Sequence, residues 1–246
     1  MKLLKITIKK KDLLSIPREE RLLFIMMGSF LNEIYMFNKL QYMASAYTDD
    51  PIERRGRNFQ AMVIAYIRAG KLYEGWEGIV KKAYFGSKIS KEYDKLLSPQ
   101  AKIAIKYLKK YFNQKQTIIK FVRNSLAFHY PLEEEEVQKI ERLLRQANEN
   151  EEFEMYLHKY FGNCLIYFSH VLLALNILKE INEDVEKAMG TLLEDLEKIT
   201  TAFSEFLGDC IRIFLEKYES CINKEEVEVR SSSIENLTIP YFWQKP

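Results

Sequence analysis

Arg123, Asn124 and His129 are the residues of this sequence best suited to chemistry on a phosphate. An arginine guanidinium binds two phosphate oxygens at once and remains charged at physiological pH. A histidine imidazole titrates near neutral pH, so it can take or give a proton while a phosphodiester bond breaks. Asn124 would orient these groups by hydrogen bonding. The three residues therefore predict a site for acid–base chemistry on a phosphodiester.

Five residues separate Arg123 from His129, and this spacing limits how the two side chains can meet. Six steps along a straight α-helix rotate by about 600°, so the side chains would point about 120° apart. Pro131 disfavours the α conformation at Tyr130, which ends the helix near His129. Either the helix unwinds at Phe128, or the two side chains converge across a twofold axis between two copies of the chain.

A row of lysines comes just before this pair. No Asp or Glu occurs between residues 100 and 130, and a helix there would carry its lysines on one face. Lysines neutralise phosphates and aromatic rings stack on unpaired bases, so the stretch predicts RNA binding; the alternative is an ordinary solvated face. The predicted RNA-binding residues are Lys102, Lys106, Lys109, Lys110 and Lys120, with Tyr107, Tyr111 and Phe112 interleaved and Arg54, Arg55 and Arg57 as an extension.

Apolar residues recur at helical spacing through most of the chain, and only nine glycines and six prolines interrupt them. The predicted fold is all-α, an antiparallel bundle of long helices with short extended segments at both ends. Ser98-Pro99 is typical of a helix start, and Asn163 is a predicted cap. Helices are predicted over about 17–46, 53–84, 100–112, 115–128, 132–146, 164–179 and 183–218, with a strand over 2–9 and a loop or short turn over 86–97.

The last predicted helix alternates apolar residues at four and three positions from Val185 to Ile213. Such a heptad pattern packs either within the helix's own bundle or across a dimer interface. After residue 223 the composition changes to an alternating segment, three serines and an apolar end with a tryptophan. We therefore divide the chain into a helical domain, 1–223, and an extended tail, 224–246. The tail either docks on the bundle or serves as a partner-binding peptide.

Several classes of protein lack support in this sequence. It has no glycine-rich phosphate loop, no Gly-x-Ser-x-Gly elbow and no His-Glu-x-x-His pair, and no carboxylate cluster suggests a metal, so we expect no metal and no cofactor. Cys164, Cys210 and Cys221 are odd in number and unpaired in spacing, as is typical of reduced thiols. The sequence contains no bilayer-length apolar run and no signal peptide. We expect a cytoplasmic protein without membrane contact.

The segment from Arg123 to His129 resembles the signature of the HEPN superfamily, which includes many RNA-cutting toxins and phage-defence proteins. That signature is an arginine, often followed by Asn, His or Asp, and a histidine a few residues later. Asn32-Glu33 and the segment 69–76 are similar to a bacterial branch related to abortive infection. The sequence departs from toxins of the nucleotidyltransferase-paired kind, which usually have His-x-Tyr, because Tyr130 follows His129 directly.

The resemblance implies a HEPN-like helical bundle and a metal-independent endoribonuclease. Its catalytic residues would be Arg123, Asn124 and His129, in a site at a homodimer interface where the 2′-hydroxyl of RNA attacks the phosphate. An imidazolium suits protonation of the leaving 5′ oxygen, and a neutral imidazole from the second chain could take the 2′ proton. The resemblance also implies antiviral defence or a toxin–antitoxin system with an inhibitory partner protein.

Glu33, Glu74 and Tyr130 are candidates for positioning Arg123. Two other interpretations of the whole chain remain open. The first is a catalytically silent HEPN-like module that binds nucleic acid, a nucleotide or a protein partner. The second is an unrelated helical scaffold in which Arg123 binds the carbonyl groups at a helix end.

Overall fold

The computed structural model describes residues 1–127, 134–146, 152–159, 161–233 and 237–243. Within these ranges the chain is mostly helical, which confirms the predicted fold class, and none of the helices is both long and apolar enough to cross a membrane. The helices are α1 (Lys10–Ser15), α2 (Arg18–Ala44), α3 (Pro51–Glu74), α4 (Ile89–Leu96), α5 (Pro99–Phe112), α6 (Ile118–Val122), α7 (Glu134–Gln146), α8 (Tyr167–Ile181) and α9 (Val185–Lys217). Strands β1 (Lys2–Ile8) and β2 (Ile222–Glu228), π-helical segments at Gly75–Tyr84 and Arg123–Ala127, and 3-10 turns at Phe161–Asn163 and Glu219–Cys221 complete the fold.

Side-chain caps mark where two of the main helices begin. The Ser98 hydroxyl accepts a hydrogen bond from the Ala101 N–H at 3.2 Å, which confirms the predicted start of α5. A carboxylate oxygen of Asp50 accepts from the N–H groups of Ile52 and Glu53, at 2.8 and 2.9 Å, and starts α3. These side chains satisfy N–H groups that have no partner inside a helix.

The predicted cap at Asn163 is wrong. Helix α8 begins at Tyr167 and has Ile166 at its N-cap, without a side-chain hydrogen bond. Asn163 lies in the preceding 3-10 turn, and its side chain instead binds the backbone of Trp243. The amide that was predicted to cap the helix therefore binds Trp243, which is 80 residues away in sequence.

The predicted loop over residues 86–97 is also wrong, because it contains α4. An isolated helix of eight residues is marginal in water, so packing must stabilise it. Tyr93 is buried, and its hydroxyl donates to Glu20 at 2.6 Å. Asp94 accepts from the hydroxyl of Tyr84 at 2.8 Å.

The chain divides into two compact units. The first unit comprises Met1–Tyr35, Leu72–Lys115 and Lys198–Leu237, and the second comprises Met36–Lys71, Gln116–Glu197 and Thr238–Pro246. Helices α2, α3 and α9 contribute residues to both units.

Aromatic rings form much of the core of the first unit. Phe30 meets Phe203 edge-to-face, with ring centroids 5.0 Å apart. Phe112 stacks on Trp76 at 5.0 Å and lies 6.2 Å from Phe203. At Gly75 a Cβ atom would lie 2.3 Å from the Phe30 ring, so only glycine permits this approach.

The first unit also contains the two-stranded antiparallel sheet, in which Lys2 pairs with Glu228 and Ile8 with Ile222. The strand predicted over residues 2–9 is confirmed, and the alternating segment after residue 223 forms most of its partner. Lys2 lies 2.6 Å from Glu226. Exposed ion pairs of this kind add little stability, but opposite charges across neighbouring strands favour the correct register.

The second unit has an apolar core and several buried polar groups. Ala174, Leu178 and Ala188 form one buried apolar cluster in it. Arg68 is only 3% exposed and donates to the carbonyl of Leu196 at 3.2 Å. His170 packs edge-on against Phe59 at 4.5 Å between ring centroids, and burial lowers its pKa to about 4, so it stays neutral at physiological pH.

The heptad pattern of α9 is packing inside the chain. From Leu192 to Ile213 the alternative prediction of a dimer seam is not supported, because these side chains have almost no surface left for a partner, whereas Val185 and Met189 are half-buried. Each of the following is at most 3% exposed: Leu192, Leu196, Ile199, Phe203, Phe206, Cys210 and Ile213.

Candidate functional site

Arg123 follows a short helix that is anchored in the second unit. Thr117 caps this helix α6, since its hydroxyl accepts from the Lys120 N–H at 3.2 Å. Ile119 and Val122 are fully buried and fix the helix in place. Arg123 therefore directly follows a fully buried residue, Val122. The side chain of Arg123 is itself half-buried.

The backbone changes from α to π geometry at Arg123. The π-helical turn covers Arg123–Ala127, and its i→i+5 hydrogen bonding widens the helix and shifts the direction of the side chains that follow. One of the two alternatives predicted from the sequence was unwinding of the helix at Phe128, which lies outside the described residues, whereas the change of geometry that the structure describes begins at Arg123. The angle expected for a regular helix therefore does not apply to this segment. Phe128, His129 and Tyr130 lie outside the described residues.

Asn124 orients the Arg123 side chain. The Nη1 group of Arg123 donates to the Asn124 Oδ1 atom at 3.0 Å. An amide is uncharged, so Asn124 itself adds no negative charge beside the guanidinium. The planar guanidinium carries five N–H donors, a geometry that matches phosphate oxygens. This pair can therefore present a directed cation to a phosphate.

Four of the five lysines predicted to bind RNA form an exposed row on α5, in the first unit. The opposite side of the helix, with Ala101 and Leu108, is buried. Lys120, the fifth, is half-buried on α6 in the second unit. The row consists of Lys102, Lys106, Lys109 and Lys110, of which Lys109 also lies 3.9 Å from the ring centroid of Phe85.

Two of the aromatic rings between the lysines face the core. Tyr111 is buried, and Phe112 stacks on Trp76. The prediction that these two rings stack on RNA bases is wrong, because helical spacing turns them away from the lysine row. Tyr107 is half-buried.

Glu33 and Glu74, the two described residues predicted to position Arg123, both belong to the first unit, whereas Arg123 belongs to the second. Glu33 is half-buried on α2, and Glu74 is the exposed last residue of α3. The π-helical segment that follows begins at Gly75.

The arginines predicted to extend the RNA surface make contacts within the second unit. Arg57 donates to Glu53 at 2.8 Å, and Arg54 donates to the carbonyl of Thr48 at 3.0 Å. Arg55 donates to Glu154 and to the hydroxyl of Tyr156. The contacts of Arg54 and Arg55 tie α3 to neighbouring segments of the same unit, whereas the Arg57–Glu53 pair lies within α3. The predicted extension is therefore not supported.

A cavity that was not predicted from the sequence lies beside Arg55. Its volume of about 470 Å³ falls in the range of small-molecule sites. Phe168, Val171 and Leu175 of α8 give it an apolar wall, and Glu154 lies at its edge with Arg55. No local pattern could reveal this cluster, because Arg55 and Glu154 are 99 residues apart.

Among the residues that the structure describes, no three His, Cys, Asp or Glu side chains are grouped as metal ligands would be. No protein-family model, curated protein or solved structure matches the chain. The residues and geometry of the candidate site are therefore the basis for any proposal about its function.

Proposed function

We propose that this protein is a metal-independent endoribonuclease of the HEPN type, with its site around Arg123, Asn124 and His129. The observation that carries this proposal is the orientation of the Arg123 guanidinium by Asn124 at the start of a π-helical turn. Turns of this kind are rare and often occur at functional sites. The second π-helical segment, at Gly75–Tyr84, begins in another segment of family resemblance and supports the same proposal.

In the proposed reaction a neutral imidazole takes the proton of an RNA 2′-hydroxyl, and that oxygen attacks the adjacent phosphorus. The bond from phosphorus to the 5′ oxygen breaks, and an imidazolium protonates the leaving oxygen. The products are a 2′,3′-cyclic phosphate and a 5′-hydroxyl. Arg123 binds the phosphate and stabilises the charge that develops on it, while Asn124 keeps the guanidinium oriented.

The reaction uses two imidazoles, so we propose a homodimer in which each chain contributes one His129. The dimer must use a surface other than the seam of α9 from Leu192 to Ile213, since that part is buried within each chain. We further propose that the enzyme acts in the cytoplasm, in phage defence or as a toxin restrained by an inhibitory partner protein.

Incubation of the purified protein with total RNA, with and without EDTA, tests the proposal. We expect cleavage to persist in EDTA and to leave 5′-hydroxyl ends, which polynucleotide kinase labels without prior phosphatase treatment. Cleavage abolished by EDTA would contradict the metal-independent mechanism. RNA binding without any cleavage would favour the catalytically silent module instead.

The exposed lysine row on α5 predicts RNA binding that weakens steeply with salt. Changing Lys106 and Lys110 to glutamate should lower the affinity and reduce the slope of log K against log salt by about 2, because each phosphate contact contributes roughly 0.9. Filter binding or fluorescence anisotropy at several salt concentrations would measure this. Lys91→Glu with Lys95→Glu is the matched control, because this exposed pair on α4 has the same spacing. Equal effects of both double changes would show that the row only contributes net charge.

A further inference from the structure

The tail segment, residues 238–243, lies against α3 and the 3-10 turn Phe161–Asn163 in the second unit. It has no regular secondary structure, yet its backbone groups are bound by specific side chains. The contacts come from residues that are distant in sequence and that hold the segment at several points.

Glu53 binds two consecutive backbone N–H groups of the tail segment. Its carboxylate oxygens accept from the N–H of Tyr241 at 2.8 Å and from the N–H of Phe242 at 3.1 Å. Arg57 also donates to the carboxylate, at 2.8 Å and to the same oxygen as Tyr241, and both charged side chains are less than 15% exposed. Burial by itself would raise the pKa of Glu53, but the hydrogen bonds from Arg57 and from the two N–H groups lower it. The carboxylate is therefore charged and directed at the peptide backbone.

Asn163 binds the next residue of the segment in the same manner. Its side-chain amide donates to the carbonyl of Trp243 at 2.5 Å and accepts from the Trp243 N–H at 3.0 Å. This two-point contact resembles the pairing between β-strands, with a side-chain amide in place of the second backbone. Asn163 therefore recognises the backbone of residue 243 and not its side chain.

One side chain of the segment, that of Tyr241, enters a slot formed by Gly56. A Cβ atom at residue 56 would lie 2.4 Å from the Tyr241 ring, so the slot exists only because this helical residue is glycine. The Tyr241 hydroxyl donates to the carbonyl of Cys164 at 2.8 Å, and the ring meets Phe59 edge-to-face. A tyrosine is therefore matched in both shape and hydrogen bonding.

We propose that Glu53, Gly56 and Asn163 form a peptide-binding groove, that the tail segment is its resident ligand, and that the groove accepts the same segment from a second copy of the chain. Recognition uses backbone groups and one tyrosine ring, which a segment carries whether or not it is covalently attached. Attachment supplies an effective concentration of about millimolar, so a second copy must compete with the resident segment. Exchange of identical segments is also a low-cost route to association between copies.

Fluorescence anisotropy with a labelled synthetic peptide of residues 237–246 tests this proposal on the full chain. The double variant Tyr241→Ala, Trp243→Ala takes the tyrosine ring out of its slot without changing the groove walls, so the resident segment competes less well and the variant should bind the peptide more tightly than the wild type. Adding Gly56→Ala to that variant should abolish binding, because the new methyl group fills the tyrosine slot. Gly28→Ala is the control, since nothing lies within 4 Å of a Cβ atom built there.

Absence of peptide binding by the double variant, when circular dichroism shows it to be folded, would overturn the proposal. If that variant does not fold, displacement can be measured in a chain carrying Trp76→Phe, which leaves Trp243 as its single tryptophan. A peptide with phenylalanine in place of its tryptophan should then shift the Trp243 emission to longer wavelength as the resident segment leaves. An unchanged emission at millimolar peptide would show that the segment is a fixed part of the fold.

Discussion

The change Arg123→Ala is expected to lower RNA cleavage by roughly a hundredfold to ten-thousandfold and to weaken RNA binding, while the protein stays folded. In the proposed mechanism the guanidinium, which donates to Asn124 at 3.0 Å, stabilises the charge that develops on the phosphate. The side chain is only half-buried beyond a short helix, so its loss removes little core. Arg123→Lys should restore only part of the rate, because an ammonium group keeps the charge but loses the two-point contact. Single-turnover cleavage of a defined RNA measures both variants.

His129→Ala should reduce cleavage by a similar factor, since it removes the group that transfers protons. If the two residues act as one unit, as we propose, the double variant should be scarcely slower than either single one. Arg142→Ala, which changes an exposed arginine on α7, serves as the control and should leave the rate unchanged. Variants that cut RNA as well as the wild type, or a His129→Ala protein that no longer folds, would show that the pair is structural.

The change Phe203→Ala is expected to destabilise the protein by about 3–5 kcal/mol. Phe203 is fully buried, and its ring meets those of Phe30 at 5.0 Å and Phe112 at 6.2 Å, so alanine leaves a cavity that these rings cannot fill. Urea denaturation followed by circular dichroism would measure the free energy of unfolding. Phe203→Leu should cost less than alanine, because it restores part of the lost volume.

A matched change on the surface separates loss of packing from loss of apolar area. Ile103 is 70% exposed on α5 in the same unit, and Ile103→Ala should change the stability by less than about 0.5 kcal/mol. Equal losses at residues 103 and 203 would contradict the assignment of the aromatic rings as the core of the first unit.

Features that depend on local sequence could be predicted from the sequence. The start of α5 at Ser98 follows from capping chemistry within four residues, and the heptad pattern of α9 identified the buried face of that helix. The pattern could not say whether the seam lay within one chain or between two. That distinction required the partner surfaces, which come from other parts of the chain.

Features that depend on distant residues could not be predicted. Helix α4 is stabilised by the contact of Tyr93 with Glu20, and Asn163 is used by Trp243 and not by the neighbouring helix. At the candidate site the sequence identified Arg123 and Asn124 by type and order. It did not identify the π-helical turn, because a shift to i→i+5 hydrogen bonding follows from the packing of the whole segment.

During synthesis at the ribosome, β1 can pair with β2 only after most of the chain has been made. Lys2 must wait for Glu228, which is synthesised more than 220 residues later. At typical elongation rates this delay lasts about 10 to 40 seconds. Neighbouring helices can meet much sooner, because their contacts are closer in the chain. Throughout the delay the β1 segment, which carries Leu3, Leu4 and Ile6, has no partner strand. The positive charges of its lysines then discourage pairing with other nascent chains.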